Sequence, residues 1–357
     1  MLGNGFDLYH NLLSHYNDFM SIGEYLIERH KICYEEFDEV SIYSELYDLT
    51  KTDKSFKKKF LTYEEAYKKT KINKEEYADF LDKLKSNCWF KYFLNLKVRK
   101  GWIDLENQIS IVIEKFRKND TYGLDEFLNV IKERNNYNDA IFKHISNYSF
   151  GKERNNVYIF DEYNQFINLL KQYLKIFVDN VLSNISNIYC SCNNHFKNQQ
   201  YILTFNYTDT YSKLYDSTAN IVHIHGKLDD QIVLGINSDE YDDVANNDCR
   251  YIKYKKYYQR ITKHTLDGLN ALINCIKLNR GYNELSIVGH SLDKSDRDII
   301  TVLFDLFDDI VVYFHNDEAL DQYIKNLKLI FGAKELNKMT LSQKVTFKKL
   351  PPNEFIK

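Results

Sequence analysis

The sequence predicts an α/β fold, a mostly parallel sheet interrupted by a large helical insertion. Three observations carry that expectation. From Leu8 to about Ile188, apolar residues recur at the three- and four-residue spacing of amphipathic helices. From Tyr201 onward, short apolar runs alternate with helical stretches, the texture of parallel strands covered on both faces. A glycine turn, Gly3-Asn4-Gly5, leads straight into helical pattern after only Met1 and Leu2. Such a turn normally follows a buried strand, so the first residues belong with the late strands. Residues 1–19 plus 196–357 are then the sheet core, and residues 20–195 the helical insertion.

Each element follows in order. The first strand is a stub here, or its remainder lies upstream. In the helical stretch, Tyr77, Phe80, Leu81 and Leu84 form one stripe. Ile103, Leu105, Ile109, Val112, Ile113 and Phe116 form a second, and Phe166, Leu169, Leu170, Tyr173, Leu174 and Phe177 a third. Stripes of this kind face a core far more often than a ligand. Strands are expected at 201–205, 221–224, 232–234, 285–288 and 310–314, with helices over 254–279, 294–307 and 316–331. With only two prolines, Pro351 and Pro352, boundaries come from pattern rather than from linkers.

Composition narrows the function classes. Of 357 residues, 44% are hydrophobic and 15% aromatic, enough for a sizeable core and too many for a disordered chain. Lys+Arg 48 against Asp+Glu 51 gives a net charge of −3, so no overall field draws the chain to nucleic acid or anionic lipid. No run approaches the ~18 apolar residues that span a bilayer, and Asn4, Asp7, His10 and Asn11 interrupt any leader-like core. The six scattered cysteines read as reduced thiols, and a cytoplasmic location is expected. Cys190-Ser-Cys192 with His195 lacks the spacing of a zinc knuckle, so no metal is predicted. Locally, residues 51–100 carry 15 Lys/Arg against 7 Asp/Glu, and residues 229–248 carry seven acids with no Lys or Arg. The basic stretch, with Tyr63, Tyr67, Trp89, Phe90 and Tyr92, has the makings of a nucleic-acid face, although a solvated helix face is the commoner meaning of such a run.

Three places carry candidate chemistry. A Gly-x-Gly turn lets backbone approach a phosphate, and the helix start behind it offers free amides. Gly3, Asn4, Gly5 and Asp7 are therefore candidate nucleotide contacts, with a simple helix N-cap as the alternative for Asp7. The third glycine of a dinucleotide fingerprint would fall at Leu8, and Lys152 and Lys227 lack the Ser/Thr of a P-loop. Next, Thr204-Phe-Asn-Tyr-Thr208 and Val222-His-Ile-His-Gly226 end strands, where α/β sheets bind ligands. Asn206, Thr208, His225 and Gly226 fall at those ends. His223 and His225 share a strand face. They read as a metal pair, as a general base beside a packed residue, or as two structural histidines. Third, Ser286-Ile-Val-Gly-His-Ser-Leu292 is a strand running into a turn. Ser291 sits as a hydrolase nucleophile would, but Asp293 replaces the small residue that such an elbow needs. Gly289 and Ser291 read better as nucleotide contacts, with Ser295 or Asp296 capping the next helix.

In order and spacing, the set resembles a known family. Gly3-Asn-Gly-Phe-Asp-Leu8 with Leu12-Leu-Ser-His-Tyr16-Asn-Asp-Phe19, then Trp102-Ile-Asp-Leu-Glu106, Phe205-Asn-Tyr-Thr208, His223-Ile-His-Gly226 and Gly289-His-Ser-Leu292 resemble the AbiH-like bacteriophage abortive-infection family. More distantly, the series is similar to the sirtuin-like NAD-hydrolases of anti-phage defence. That resemblance implies a Rossmann-like, sirtuin-like core, with Asn206 and His225 in catalytic positions and Gly3, Gly5, Gly289 and Ser291 in nucleotide-binding ones. It implies NAD as substrate rather than cofactor, cleaved at its N-glycosidic bond by a glycohydrolase-type enzyme. Leu13 departs from the family, which usually has Pro there. Asp7 stands where the NAD-hydrolases have Ser, and a carboxylate there repels a pyrophosphate. The competing classes are a non-catalytic nucleotide-binding sensor, and a metal-dependent nuclease or hydrolase using His223, His225 and Asp7. Expected partners are a nucleotide substrate, a phage-derived trigger and further copies of the chain, with no membrane and with nucleic acid disfavoured.

Overall fold

A computed structural model of the chain describes residues 1–29, 38–100, 104–118, 127, 152–185, 189–190, 196–197, 199–236, 251–278, 281–353 and 355–356. The architecture is mixed α/β. Ile202–Thr204 pairs in parallel with Ile221–His223. Glu284–Val288 pairs in parallel with Asp309–Phe314, which pairs in parallel with Val345–Lys349. Leu2 joins these two groups, bridging Thr204 on one side and Val288 on the other, both in the parallel sense. The Leu2 amide donates to the Leu203 carbonyl at 2.7 Å, and the Leu2 carbonyl accepts from the Phe205 amide at 2.9 Å. Across the sheet the order is therefore 221–223, 202–204, residue 2, 284–288, 309–314 and 345–349.

Helical periodicity translates directly into burial. Tyr77, Phe80, Leu81 and Leu84 are buried on the helix Lys74–Ser86, which Asn73 caps through its side chain. Leu105, Ile109, Val112 and Ile113 are buried, as are all six residues of the third stripe. Ile103 and the Phe116 side chain lie outside the described residues. The third stripe runs down Lys152–Leu174 and into a π-helical turn, Lys175–Asp179. These side chains make one large core with Phe19, Trp89 and Phe93, while Ile224, Ile287, Ile300, Leu303 and Val312 make another around the sheet.

Two expectations need correcting, and one strand was not foreseen. The run 232–234 forms no strand, although all three residues are buried. Side chains meet its carbonyls instead: Tyr207 and Lys263 donate to Val233 and Ile232, and Gln259 both donates to Leu234 and accepts from it, while the Val233 amide donates to the His225 carbonyl. The predicted helix 254–279 is broken into Lys256–Thr262 and Asp267–Leu278, with His264 at φ +55° between them. Val345–Lys349 was hidden in sequence because its exposed positions carry Lys348 and Lys349, as outer strands of soluble sheets often do.

The aromatic residues of the basic stretch do not form a stacking face. Tyr63, Tyr67, Trp89, Phe90 and Tyr92 are all buried. Several lysines of the stretch are engaged in ion pairs, Lys59 with Asp18 at 2.6 Å, Lys68 with Glu64 and Glu65, Lys83 with Asp79 and Lys97 with Glu24. Cys190 lies in a short antiparallel pair with the chain's end. Cys192, His195 and most of the acidic run 229–248 lie outside the described residues. No described helix is long and apolar enough to cross a membrane.

Candidate functional site

The carboxyl ends of adjacent parallel strands open onto one cleft of about 520 Å³, within the range of ~300–1,000 Å³ usual for small-molecule sites. After Leu2 come Gly3, Asn4, Gly5 and Asp7; after Thr204, Phe205 to Thr208; after His223, His225; after Val288, Gly289 to Ser291 and then Asp293 to Asp296. Helical segments close the far side with Tyr16, Asp104, Glu106, Ser110 and Leu170. Of the ten residues singled out from sequence, Gly226 alone lies off the lining. A second cavity, of about 760 Å³, opens at the opposite ends of the strands around Met1, Tyr201 and Glu284. It is larger, but no His, Lys, Arg or Asp is among its described lining residues, so chemistry favours the first.

The glycines hold loop against loop. The Gly5 amide donates to the Gly289 carbonyl at 2.7 Å, and the Gly3 amide to the Val288 carbonyl at 3.1 Å. A Cβ on Gly289 would stand 2.2 Å from the Phe6 nitrogen, at a φ of +67°. One on Gly5 would stand 2.7 Å from the Gly289 Cα. The Gly3 and Gly5 amides are thus engaged in protein contacts, and the glycines answer a need for close backbone approach. Gly226 turns the chain at φ +76°, where a Cβ would meet the Gln231 carbonyl. Asn4 Oδ1 accepts from Ser14 Oγ at 2.9 Å, and Ser291 offers an exposed side chain while its carbonyl accepts from Asn326.

Asp7 is not a cap. The N-cap position of the first helix is Gly3, with no side-chain capping bond. The buried Asp7 carboxylate accepts from Asn206 Nδ2 at 3.0 Å and from Thr208 Oγ1 at 2.6 Å, with Thr210 donating to Thr208 behind it. Burial pushes the carboxyl up to about 6, against the pull of those hydrogen bonds. Asn206 and Thr208 are therefore partly committed: Asn206 keeps its Oδ1, and its amide nitrogen positions Asp7.

His225 is held by a residue read from sequence as a cap. Its Nε2 lies 3.1 Å from Asp296 Oδ1, and its ring stands edge-on to Phe205. Burial holds the His225 pKa below its ordinary value, with Asp296 opposing. A carboxylate only accepts, so the neutral ring carries its proton on Nε2 and leaves Nδ1 as the basic nitrogen. The capping belongs to Asp293, which accepts from the Ser295 amide at 2.9 Å. Asp296 instead gathers cations and imidazoles. Lys256 Nζ is 3.1 Å from Oδ1, Arg260 Nη1 3.7 Å from it, and His290 Nε2 3.7 Å from Oδ2. Burial alone would raise Asp296, yet Lys256 and His225 hold it well below the usual carboxylate range. Lys256, itself buried, also reaches Glu106 Oε2 at 2.8 Å. His290 accepts from the Leu292 amide at Nδ1, and burial drops its pKa to about 4. That nitrogen is taken, so His290 is no base for Ser291.

The two strand-end histidines do not converge. His223 contacts the Asn206 carbonyl at 3.1 Å and Asp209 at 3.2 Å, whereas His225 faces Asp296. Among the described residues, no group of three or more His, Cys, Asp and Glu is placed to hold a metal ion. Lys256 and Arg260 escaped the sequence reading altogether. Glu106 entered it only within a family motif, and His290 only as an unassigned member of the Gly289-His290-Ser291 turn, the one signal that could have singled it out.

No curated protein and no solved structure matches the chain. Residues 1–315, which include the cleft's sheet-end loops and the helix bearing Glu106, match the family described as bacteriophage abortive infection AbiH. The chain belongs to the AbiH family of bacteriophage abortive-infection proteins.

Proposed function

We propose that the cleft cleaves the N-glycosidic bond of a nucleotide, NAD first among the candidates, as the effector step of abortive infection. One observation carries this reading: a His225–Asp296 pair stands with Asn206 where strand ends converge on a single cleft. The strand order supports it. Numbered along the chain, the sheet runs 3-2-1-4-5-6, the order of Rossmann-like dinucleotide folds, which bind at the point where that order reverses. On this reading residue 2 and its neighbours belong to a sirtuin-like core, and the helical stretch is an insertion into it.

Cleavage passes through an oxocarbenium-like state and needs a placed water, a fixed ribose and a departing base. In NAD the bond's electron pair leaves with the nicotinamide nitrogen, which becomes neutral, so no acid is required for departure. Water attacks the ribose C1′ and gives its proton to His225 Nδ1, and Asp296 stabilises the imidazolium that forms. Asn206 Oδ1 accepts from water or a ribose hydroxyl. Asp104 on the helical side of the cleft suits the cationic nicotinamide ring better than the pyrophosphate.

The test is nicotinamide release from NAD by the full chain, with phage lysate added to supply any trigger. His225→Ala should lower the rate by roughly 10²–10⁴. Undiminished release by that variant removes the role. A non-catalytic sensor is the second reading, favoured by the commitment of Asn206 and Thr208 to Asp7. It predicts saturable NAD binding with no release under any condition. Loss of activity with a chelator would instead point to a metal-dependent enzyme.

A further inference from the structure

The helix Leu105–Lys118 sends Glu106 across to the sheet side of the cleft, where its Oε2 lies 2.8 Å from Lys256 Nζ. Lys256 opens the helix Lys256–Thr262, and its side chain is 1% exposed. Its Nζ also lies 3.1 Å from Ser295 Oγ and 3.1 Å from Asp296 Oδ1. That same Asp296 oxygen takes His225 Nε2 at 3.1 Å. A lysine and an imidazole therefore compete for one buried oxygen, and the lysine's other carboxylate comes from a different part of the chain. The remaining charged and titratable groups around Asp296 are Arg260, which pairs with Asp298, and His290.

We propose that Glu106 is a positioning residue which, through Lys256 and the shared oxygen of Asp296, sets the proton affinity of His225. The helical side of the cleft thereby governs the imidazole on the sheet side. The physical reason is local charge balance in a water-poor site. Lys256 draws on the Asp296 charge and repels an imidazolium, so it weakens proton binding at His225. Glu106 offsets that lysine charge at contact distance. Neutralise Glu106 and the full lysine field falls on the Asp296–His225 pair. A displacement of the helix 105–118 would act in the same direction, a route by which an event on the helical side alters the site.

The inference borrows from the proposed function only the importance of His225, and its test does not depend on turnover. The His225 ring proton would be followed by NMR across about pH 4–9 in full-length protein with labelled histidine. Glu106→Gln should lower the His225 pKa by about half a unit or more, and Lys256→Met should raise it by about one unit. The double variant should lie above wild type, because its lysine is gone. A merely structural role predicts otherwise. A loosened site would hydrate His225 and move every variant up toward ~6.5. A Glu106→Gln protein whose His225 titration is unchanged or raised overturns the proposal. Titrations that move as stated in a protein that never releases nicotinamide would remove the proposed reaction and leave the coupling standing.

Discussion

Replacing Asp7 with Asn should change how stability depends on pH. Asp7 is 1% exposed, and burial raises its carboxyl to about 6, despite the opposing hydrogen bonds from Thr208, Thr210 and Asn206. In the unfolded chain the group ionises near ~3.9. Between those two values the folded state keeps a proton that the unfolded state has released, so stability falls as pH rises through the window. The gap is about two units, each worth ~1.4 kcal/mol, or about 3 kcal/mol in all. That stability is present in full below about pH 4 and lost as pH passes the folded value. His10 and His290 tilt the other way. Burial drops both imidazoles to about 4, so they favour the folded state at neutral pH and lose that preference as pH falls. The difference between wild type and Asp7→Asn cancels the histidines and isolates the carboxyl. Urea unfolding at about pH 4 and pH 7 should show the variant gaining about 2 kcal/mol on wild type between the two, since the unfolded carboxyl is still half protonated at the lower value. At the lower pH it should be the weaker protein, because an amide donor then faces Asn206 or Thr208. A difference that stays constant across pH would mean that Asp7 titrates as an ordinary carboxyl, and the burial argument would fail.

Two further outcomes follow from contacts around the same cleft and on the basic stretch. Gly289→Ala forces a Cβ against the Phe6 nitrogen at positive φ and should cost about 2–4 kcal/mol, read as a lower urea midpoint; an unmoved midpoint would show that the two loops slide apart freely. Lys57→Glu with Lys58→Glu changes two exposed side chains and should shift stability by less than about 0.5 kcal/mol without loss of phage protection in a plaque assay. Lys59 must stay out of that test, because its pair with Asp18 is three-quarters or more buried on both sides. Lost protection in the double variant would restore this face as a trigger-sensing surface.

The legible parts of this fold are those where one period decides burial. Tyr77 to Leu84 and Phe166 to Phe177 repeat with the helix, and the structure buries them. Ile202–Thr204 and Asp309–Phe314 are short apolar runs with turns on either side, and they are strands. The rule fails where burial and pairing part company. Residues 232–234 are as apolar as a strand and as buried, but side-chain amides, hydroxyls and an ammonium satisfy their carbonyls. Val345–Lys349 fails in the opposite sense, a paired strand with lysines on its outer positions. The cleft was legible at the strand ends, because a parallel sheet brings those ends together whatever the side chains. The charges behind His225 were not. Glu106, Lys256 and Asp296 come from three distant segments, and a polar residue in a helical pattern looks solvent-facing until its partner is known.

The glycine turn and the two buried carboxylates show what residue identity alone leaves undecided. A glycine that lets a phosphate approach and a glycine that lets another loop approach are the same letter, and only the acceptor of its amide tells them apart. Here the acceptors are Val288 and Gly289. Asp7 and Asp296 are likewise the same residue at similar burial, in the same cleft. Asp7 meets neutral donors, so burial prevails and its proton affinity rises. Asp296 meets two cations and two imidazoles, so charge prevails and its affinity falls. Environments that push a pair of carboxylates apart in this way assign them different work. Asp296 is a fixed anion across the physiological range, suited to orienting His225 and bearing its positive charge. Asp7 changes charge near pH 6, beside the Gly3–Gly5 turn. An anion bound there would favour protonated Asp7, so the repulsion that argues against a pyrophosphate weakens by proton uptake on binding, while the anion behind His225 is left untouched.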